Sequence, residues 1–180
     1  GYSFLDRLNG MFAFALYDEN TKKLIIARDR FGEKPLYYYK DQNIFIFASE
    51  IKSLLELLNL ERRLNRDVLF QYFILRYVPA PNTLFKDIYK LPAAHYIEVD
   101  DRGFSIKEYW RIKFGELDFK KQEDYFEHFE MLFTRAVKTR MRADVPLGLY
   151  LSSGVDSTSI AAVMRENSMD RISTYSIGCM

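Results

Sequence analysis

Four hydroxyl side chains, one glycine and one carboxylate stand together in Ser152-Ser153-Gly154-Val155-Asp156-Ser157-Thr158. An apolar run, Val145 to Leu151, leads into them, and Ile160, Ala161, Val163 and Met164 follow at helical spacing. The pattern predicts a strand, a tight loop and a helix, with the loop at the carboxyl end of the strand. A helix start leaves several backbone N–H groups unpaired and carries the positive end of the helix dipole, so phosphate is its natural ligand. Small residues let a backbone wrap an anion closely, and Ser152, Ser153, Ser157 and Thr158 can each donate a hydroxyl hydrogen bond. The same residues also suit a plain N-cap, for which Ser and Asp are preferred, and the local pattern leaves both readings open. A Walker-type loop does not fit, because no Gly-Lys-Ser/Thr follows and no lysine occurs after Lys138. A carboxylate inside a phosphate loop repels the phosphate unless a cation lies between them, so Asp156 points to Mg²⁺ accompanying a nucleotide.

These residues need a scaffold, and the chain reads as two kinds of one. The first half has the marks of antiparallel sheet. Met11 to Tyr17 and Leu24 to Arg28 flank the turn cluster Asp18-Glu19-Asn20-Thr21, and Leu36 to Lys40 and Ile44 to Ser49 flank Asp41-Gln42-Asn43. Ala94 to Val99 and Phe104 to Tyr109 form a last hairpin across Asp100 to Gly103. Helical spacing marks Glu50 to Leu58, and a short helix is expected over Asp67 to Leu75. Val78-Pro79-Ala80-Pro81-Asn82 is a rigid loop, since its prolines remove donors and hold their predecessors extended. From Trp110 to Lys121 the strand signals stop, which sets a domain boundary there. Glu123 to Arg142 then reads as an amphipathic helix whose Phe126, Phe129, Phe133, Ala136, Val137 and Met141 pack against a second sheet. Val145 to Leu151, the helix to Arg165 and Ile172 to Ile177 make a β-α-β unit of the kind that builds parallel sheets.

The chain carries 26 Lys and Arg against 25 Asp and Glu, with no basic run, so charge gives no case for nucleic acid. Aromatic residues make up 16%, ample for a packed core rather than a disordered tail. The single cysteine, Cys179, excludes an internal disulfide framework and suits a reducing cytosol; it reads as a small strand-end residue, not a nucleophile. No apolar stretch reaches membrane-spanning length. His95 and His128 lack metal-ligand spacing and read as structural or surface residues. Arg28, Asp29, Arg30, Glu33 and Lys34 read as a salt-bridged scaffold between strands, and Glu50 as a helix-start acid that favours the dipole.

Leu151 to Ser157 resembles the Ser-Gly-Gly-x-Asp-Ser pyrophosphate loop of the ATP-pyrophosphatase family, with Ser153 where glycine is usual. A Cβ there restricts φ > 0 and crowds the phosphate. Arg142-Ala143-Asp144-Val145-Pro146-Leu147-Gly148 narrows the resemblance to the asparagine synthetase branch. Leu8 to Asp18, Ala27 to Tyr38, Phe47 to Lys52 and Lys90 to Tyr96 separately resemble the later part of the glutaminase domain of glutamine-hydrolysing asparagine synthetases.

The resemblance implies the end of an Ntn-type antiparallel glutaminase domain over residues 1–112. It implies the start of a parallel-sheet ATP-pyrophosphatase domain over residues 113–180. It implies an ATP-dependent carbon–nitrogen ligase with glutamine, aspartate and ATP as substrates, no nucleic acid or membrane partner, cytoplasmic, with a homodimer open. In that family ammonia from glutamine displaces AMP from a β-aspartyl adenylate. Carried over by position, Leu151 and Ile177 line the adenine end, Ser152, Ser153, Gly154 and Ser157 hold pyrophosphate, and Asp156 binds Mg²⁺. The family's amino-terminal cysteine, glutamine-binding arginine and oxyanion block have no match, so a fragment of a longer protein, inactive alone and without catalytic residues of its own, is expected. Two rivals stay open: a relative with a sugar, peptide or antibiotic-precursor acceptor, and a non-catalytic relative.

Overall fold

A computed structural model describes residues 2–58, 61–115, 119 and 121–178. The chain divides into two compact units, Gly1–Phe114 and Gly115–Met180. Cys179 lies outside the described residues.

The first unit is built on two antiparallel sheets. Strands β1 (Ala13–Asp18), β2 (Lys23–Arg28), β6 (His95–Asp100) and β7 (Gly103–Glu108) form one, in the order β1-β2-β6-β7. Strands β3 (Tyr37–Lys40), β4 (Phe45–Ala48) and β5 (Ile88–Lys90) form the other, in the order β4-β3-β5. Each of the three hairpins closes on an aspartate whose side chain caps the turn. Asp18 accepts from Asn20 and Thr21 N–H, Asp41 from Asn43 and Ile44, and Asp100 from Arg102.

Sequence in β2 explains the layering. Its last four residues, Ile25 to Arg28, are all buried, so it has no solvent face. Ile26 joins Leu36, Tyr38, Leu91 and Ile97 in a core between the sheets. Ile25 and Ala27, pointing the other way by the two-residue period of a strand, join Leu5 and Tyr96. Leu5 arrives on a 3-10 turn, Tyr2–Arg7, that covers this outer face. On the far side of the second sheet, helix α1 (Ile51–Leu58) sets Leu54 and Leu55 against Ile88. The order is therefore 3-10 turn, sheet, sheet, helix.

Two elements of this unit were not expected from sequence: the 3-10 turn Tyr2–Arg7 and β5. The helix expected over Asp67 to Leu75 begins as a 3-10 turn at Arg66–Val68 and continues as α2 (Leu69–Leu75).

In the second unit, α3 (Gln122–Arg140) precedes β8 (Gly148–Tyr150), α4 (Val155–Glu166) and β9 (Ser173–Tyr175). β8 and β9 pair in parallel, Tyr150 opposite Tyr175. Both strands are shorter than the stretches Val145 to Leu151 and Ile172 to Ile177 over which they were expected. Pro146 cannot donate to a ladder, which keeps Val145 to Leu147 out of β8. The expected packing of the α3 phenylalanines also holds only in part. Phe133, Ala136, Val137 and Met141 line a cleft of about 440 Å³ with Leu149, Ile160 and Met164, whereas Phe126 and Phe129 are 61% and 65% exposed. The reason is length: a 19-residue helix rises about 28 Å, and three-residue strands span about 10 Å. Among the described residues no helix is long and apolar enough to cross a membrane.

Candidate functional site

Residues 151–154 connect β8 to α4 at the carboxyl end of a parallel pair, the edge where open α/β sheets gather ligands. Leu151 leaves β8 with its N–H donated to Tyr175 O at 2.8 Å and its carbonyl accepting from Ser176 Oγ at 2.6 Å. Ile177 follows two residues after the end of β9 and is 91% exposed. Leu151 and Ile177 thus sit at the exits of neighbouring strands.

The hydroxyls of the loop converge on one another. Ser157 Oγ accepts from Ser152 N–H at 3.1 Å and lies 2.8 Å from Ser152 Oγ. It also lies within hydrogen-bonding distance of Ser152 O and Gly154 O, at 3.1 and 3.2 Å. Ser152 Oγ accepts from Gly154 N–H at 3.2 Å, and Thr158 Oγ1 donates to Gly154 O at 2.9 Å. A knot of short polar contacts therefore fixes the loop's path while Ser152, Ser153, Gly154 and Asp156 remain exposed.

Three details refine what the sequence suggested. Gly154, in extended conformation, is the N-cap of α4, and it has no side chain to cap with. Asp156 is therefore the second helical residue and not a cap, which removes the plain capping explanation for that carboxylate. The first α-helical bond at this end is Thr158 N–H to Gly154 O, so the N–H groups of Val155, Asp156 and Ser157 precede it, as at any helix start. Finally, Ser153 is not among the described residues with positive φ, so its Cβ brings no backbone strain to this loop. Among the described residues no cluster of three or more His, Cys, Asp or Glu could hold a metal, so Asp156 belongs to no such cluster. A lone carboxylate fits Mg²⁺ where phosphate oxygens and water supply the other ligands, since that ion keeps several waters.

Arg28 and Asp29 of the charged block after β2 form a scaffold through hydrogen bonds to main-chain atoms. The Arg28 guanidinium donates to the carbonyls of Lys34 at 2.7 Å, Leu91 at 2.6 Å and Gly32. Asp29, 1% exposed, accepts from the N–H groups of Phe12, Phe31, Glu33 and Lys34. Burial alone would raise the Asp29 pKa, yet these four donors outweigh it and leave the carboxyl below its ordinary value. Tyr109 OH donates to Arg28 O at 2.8 Å, and burial, then the Asp29 charge, push its phenol up to about 12. Arg30 lies 5.3 Å above the Trp110 ring and donates to Asp6 O. His95 Nδ1 is bound to Ala93 O at 2.7 Å, and the His128 ring packs 5.2 Å from Phe119. Ser176 is the residue that sequence reading missed; it lay inside the strand expected over Ile172 to Ile177, whereas β9 ends at Tyr175.

The antiparallel unit is a glutamine amidotransferase domain, since the family described in those words matches residues 1–110. The family described as asparagine synthase matches residues 128–179. The chain is 37% identical over 183 residues to a putative glutamine-hydrolysing asparagine synthetase 2 of Methanocaldococcus jannaschii, covering 99% of this chain and 35% of that one. It is 37% identical over 160 residues to the glutamine-hydrolysing asparagine synthetase 3 of Bacillus subtilis, covering 88% and 26%. It is also 36% identical over 172 residues to amidase chry2 of Gibberella zeae, covering 91% and 24%. The chain belongs to the glutamine-hydrolysing asparagine synthetase family. It spans about a third or less of the length of these relatives.

Proposed function

We propose that this chain carries the junction between the glutaminase and the synthetase of an ATP-dependent carbon–nitrogen ligase that makes asparagine in the cytosol. On this reading residues 1–112 close an Ntn-type glutaminase domain and residues 113–180 open an ATP-pyrophosphatase domain. Ammonia released from glutamine attacks an aspartate side chain activated as its adenylate, and AMP leaves. Adenylation is needed because a carboxylate is a poor electrophile. The residues of this chain bind and orient the nucleotide. Leu151 and Ile177 flank the adenine at the strand exits; Ser152 and Ser157 hold pyrophosphate with hydroxyls, and Ser153 and Gly154 hold it with backbone N–H groups. Asp156 would hold Mg²⁺, which neutralises the departing pyrophosphate.

The observation that carries this reading is the parallel β8–loop–α4–β9 unit, with an unhindered helix start facing the loop and a carboxylate one residue inside it. Asp156→Asn in the intact protein is the test. Asn keeps the size and hydrogen-bonding shape of the side chain but binds Mg²⁺ poorly, so pyrophosphate release with ATP and aspartate should fall at least about a hundredfold. Glutamine hydrolysis, performed by the other domain, should persist. Unchanged pyrophosphate release would remove the metal role.

A further inference from the structure

We infer that Ser176 is a positioning residue for the nucleotide loop, an inference that rests on the ATP reading of that loop. The Leu151–Ser152 peptide is held along both edges by hydroxyls from different elements. Its carbonyl accepts from Ser176 Oγ at 2.6 Å, just beyond β9, and its N–H donates to Ser157 Oγ at 3.1 Å, in the first turn of α4. The preceding N–H is fixed as well, on Tyr175 O at 2.8 Å. One peptide plane, at the root of the loop, is thus clamped between β9 and α4.

Clamping matters because of the dipole of that plane. The Leu151 carbonyl stands at the root of the loop, and a carbonyl oxygen turned toward a phosphate repels it. Ser176 supplies a donor that keeps this oxygen on the β9 side, so the N–H groups that follow face the anion together. Tying Leu151 to Ser176 also fixes Ile177, the next residue, relative to Leu151, and so sets the spacing of the two strand exits. A hydroxyl does this and a methyl cannot, whereas threonine keeps the donor, and the exposed position leaves room for its extra carbon.

The experiment compares wild type, Ser176→Ala and Ser176→Thr in the intact protein by two readouts. Amide hydrogen exchange of Leu151 and Ser152 without nucleotide reads the clamp itself; exchange should quicken about fivefold in Ser176→Ala and return toward wild type in Ser176→Thr. Pyrophosphate release reads the consequence; KM for ATP should rise about fivefold in Ser176→Ala with kcat little changed, and threonine should restore it. Wild-type exchange in Ser176→Ala overturns the clamp. Faster exchange with an unchanged KM for ATP overturns its role in nucleotide binding. A wild-type protein that releases no pyrophosphate overturns the ATP reading of the loop, and exchange then still decides the clamp.

Discussion

A Cβ at Gly32 would lie 2.9 Å from Arg28 Cζ and 3.2 Å from the Ala93 methyl, at a φ of +66°. The residue is needed twice, once for a left-handed backbone and once so that the guanidinium can reach the Gly32 carbonyl. Gly32→Ala should therefore cost about 3 kcal/mol, adding the strain of positive φ to the displacement of a buried arginine that holds three carbonyls. Urea unfolding followed by fluorescence checks this; a midpoint within error of wild type would show that Arg28 can yield cheaply. Ser153 is the opposite case. Its resemblance to the family's pyrophosphate loop, where glycine is usual, made it the suspect residue, yet its backbone needs no glycine. Ser153→Gly should accordingly leave KM for ATP within about twofold, which steady-state kinetics would check. Chemistry-bearing residue types in the loop were legible, since serine, glycine and aspartate announce themselves. Ser176 was not, because its part is a single contact to a main-chain oxygen 25 residues away.

Carboxylates at the ends of strands organise the first unit's connections. Asp18, Asp41 and Asp100 each accept turn N–H groups, Asp29 accepts four, and all four carboxyls titrate below their ordinary value. A group whose pKa is depressed by folding stabilises the native state above its unfolded value, and that stabilisation disappears as pH falls through the folded value. Unfolding midpoints should therefore decline as pH drops below about 4, and Asp29→Asn should flatten part of that decline while lowering stability near neutrality. Urea titrations between pH 7 and pH 3 measure it, and equal slopes in both proteins would argue against Asp29. The hairpins themselves were legible from strand-favouring apolar and aromatic runs around these same aspartates. β5 was not: Ile88-Tyr89-Lys90 is too short to show a period, and it becomes a strand only by pairing with β3 through Tyr37 to Tyr39. Tyr2–Arg7 is similar, a turn given its place by Leu5 under β2.

At the scale of the whole chain the two units differ in how much they bury. Gly1–Phe114 holds three apolar clusters spread over four layers. In Gly115–Met180, Val137 and Met164 are the buried apolar residues among those described, and the sheet is a single pair of three-residue strands. A two-stranded sheet has little independent stability, and a small domain needs a large buried fraction to outweigh chain entropy. The connection between the units offers proteases an apolar target, with Ile112 53% and Phe114 95% exposed. Brief chymotrypsin treatment of this chain should therefore cut first at Phe114. The amino-terminal product should persist while the carboxyl-terminal one is degraded further. Mass spectrometry of a time course reads both steps. A first cut within β1 to β4 would refute the boundary, and a long-lived carboxyl-terminal product would mean that α3, α4 and the parallel pair sustain a fold of their own.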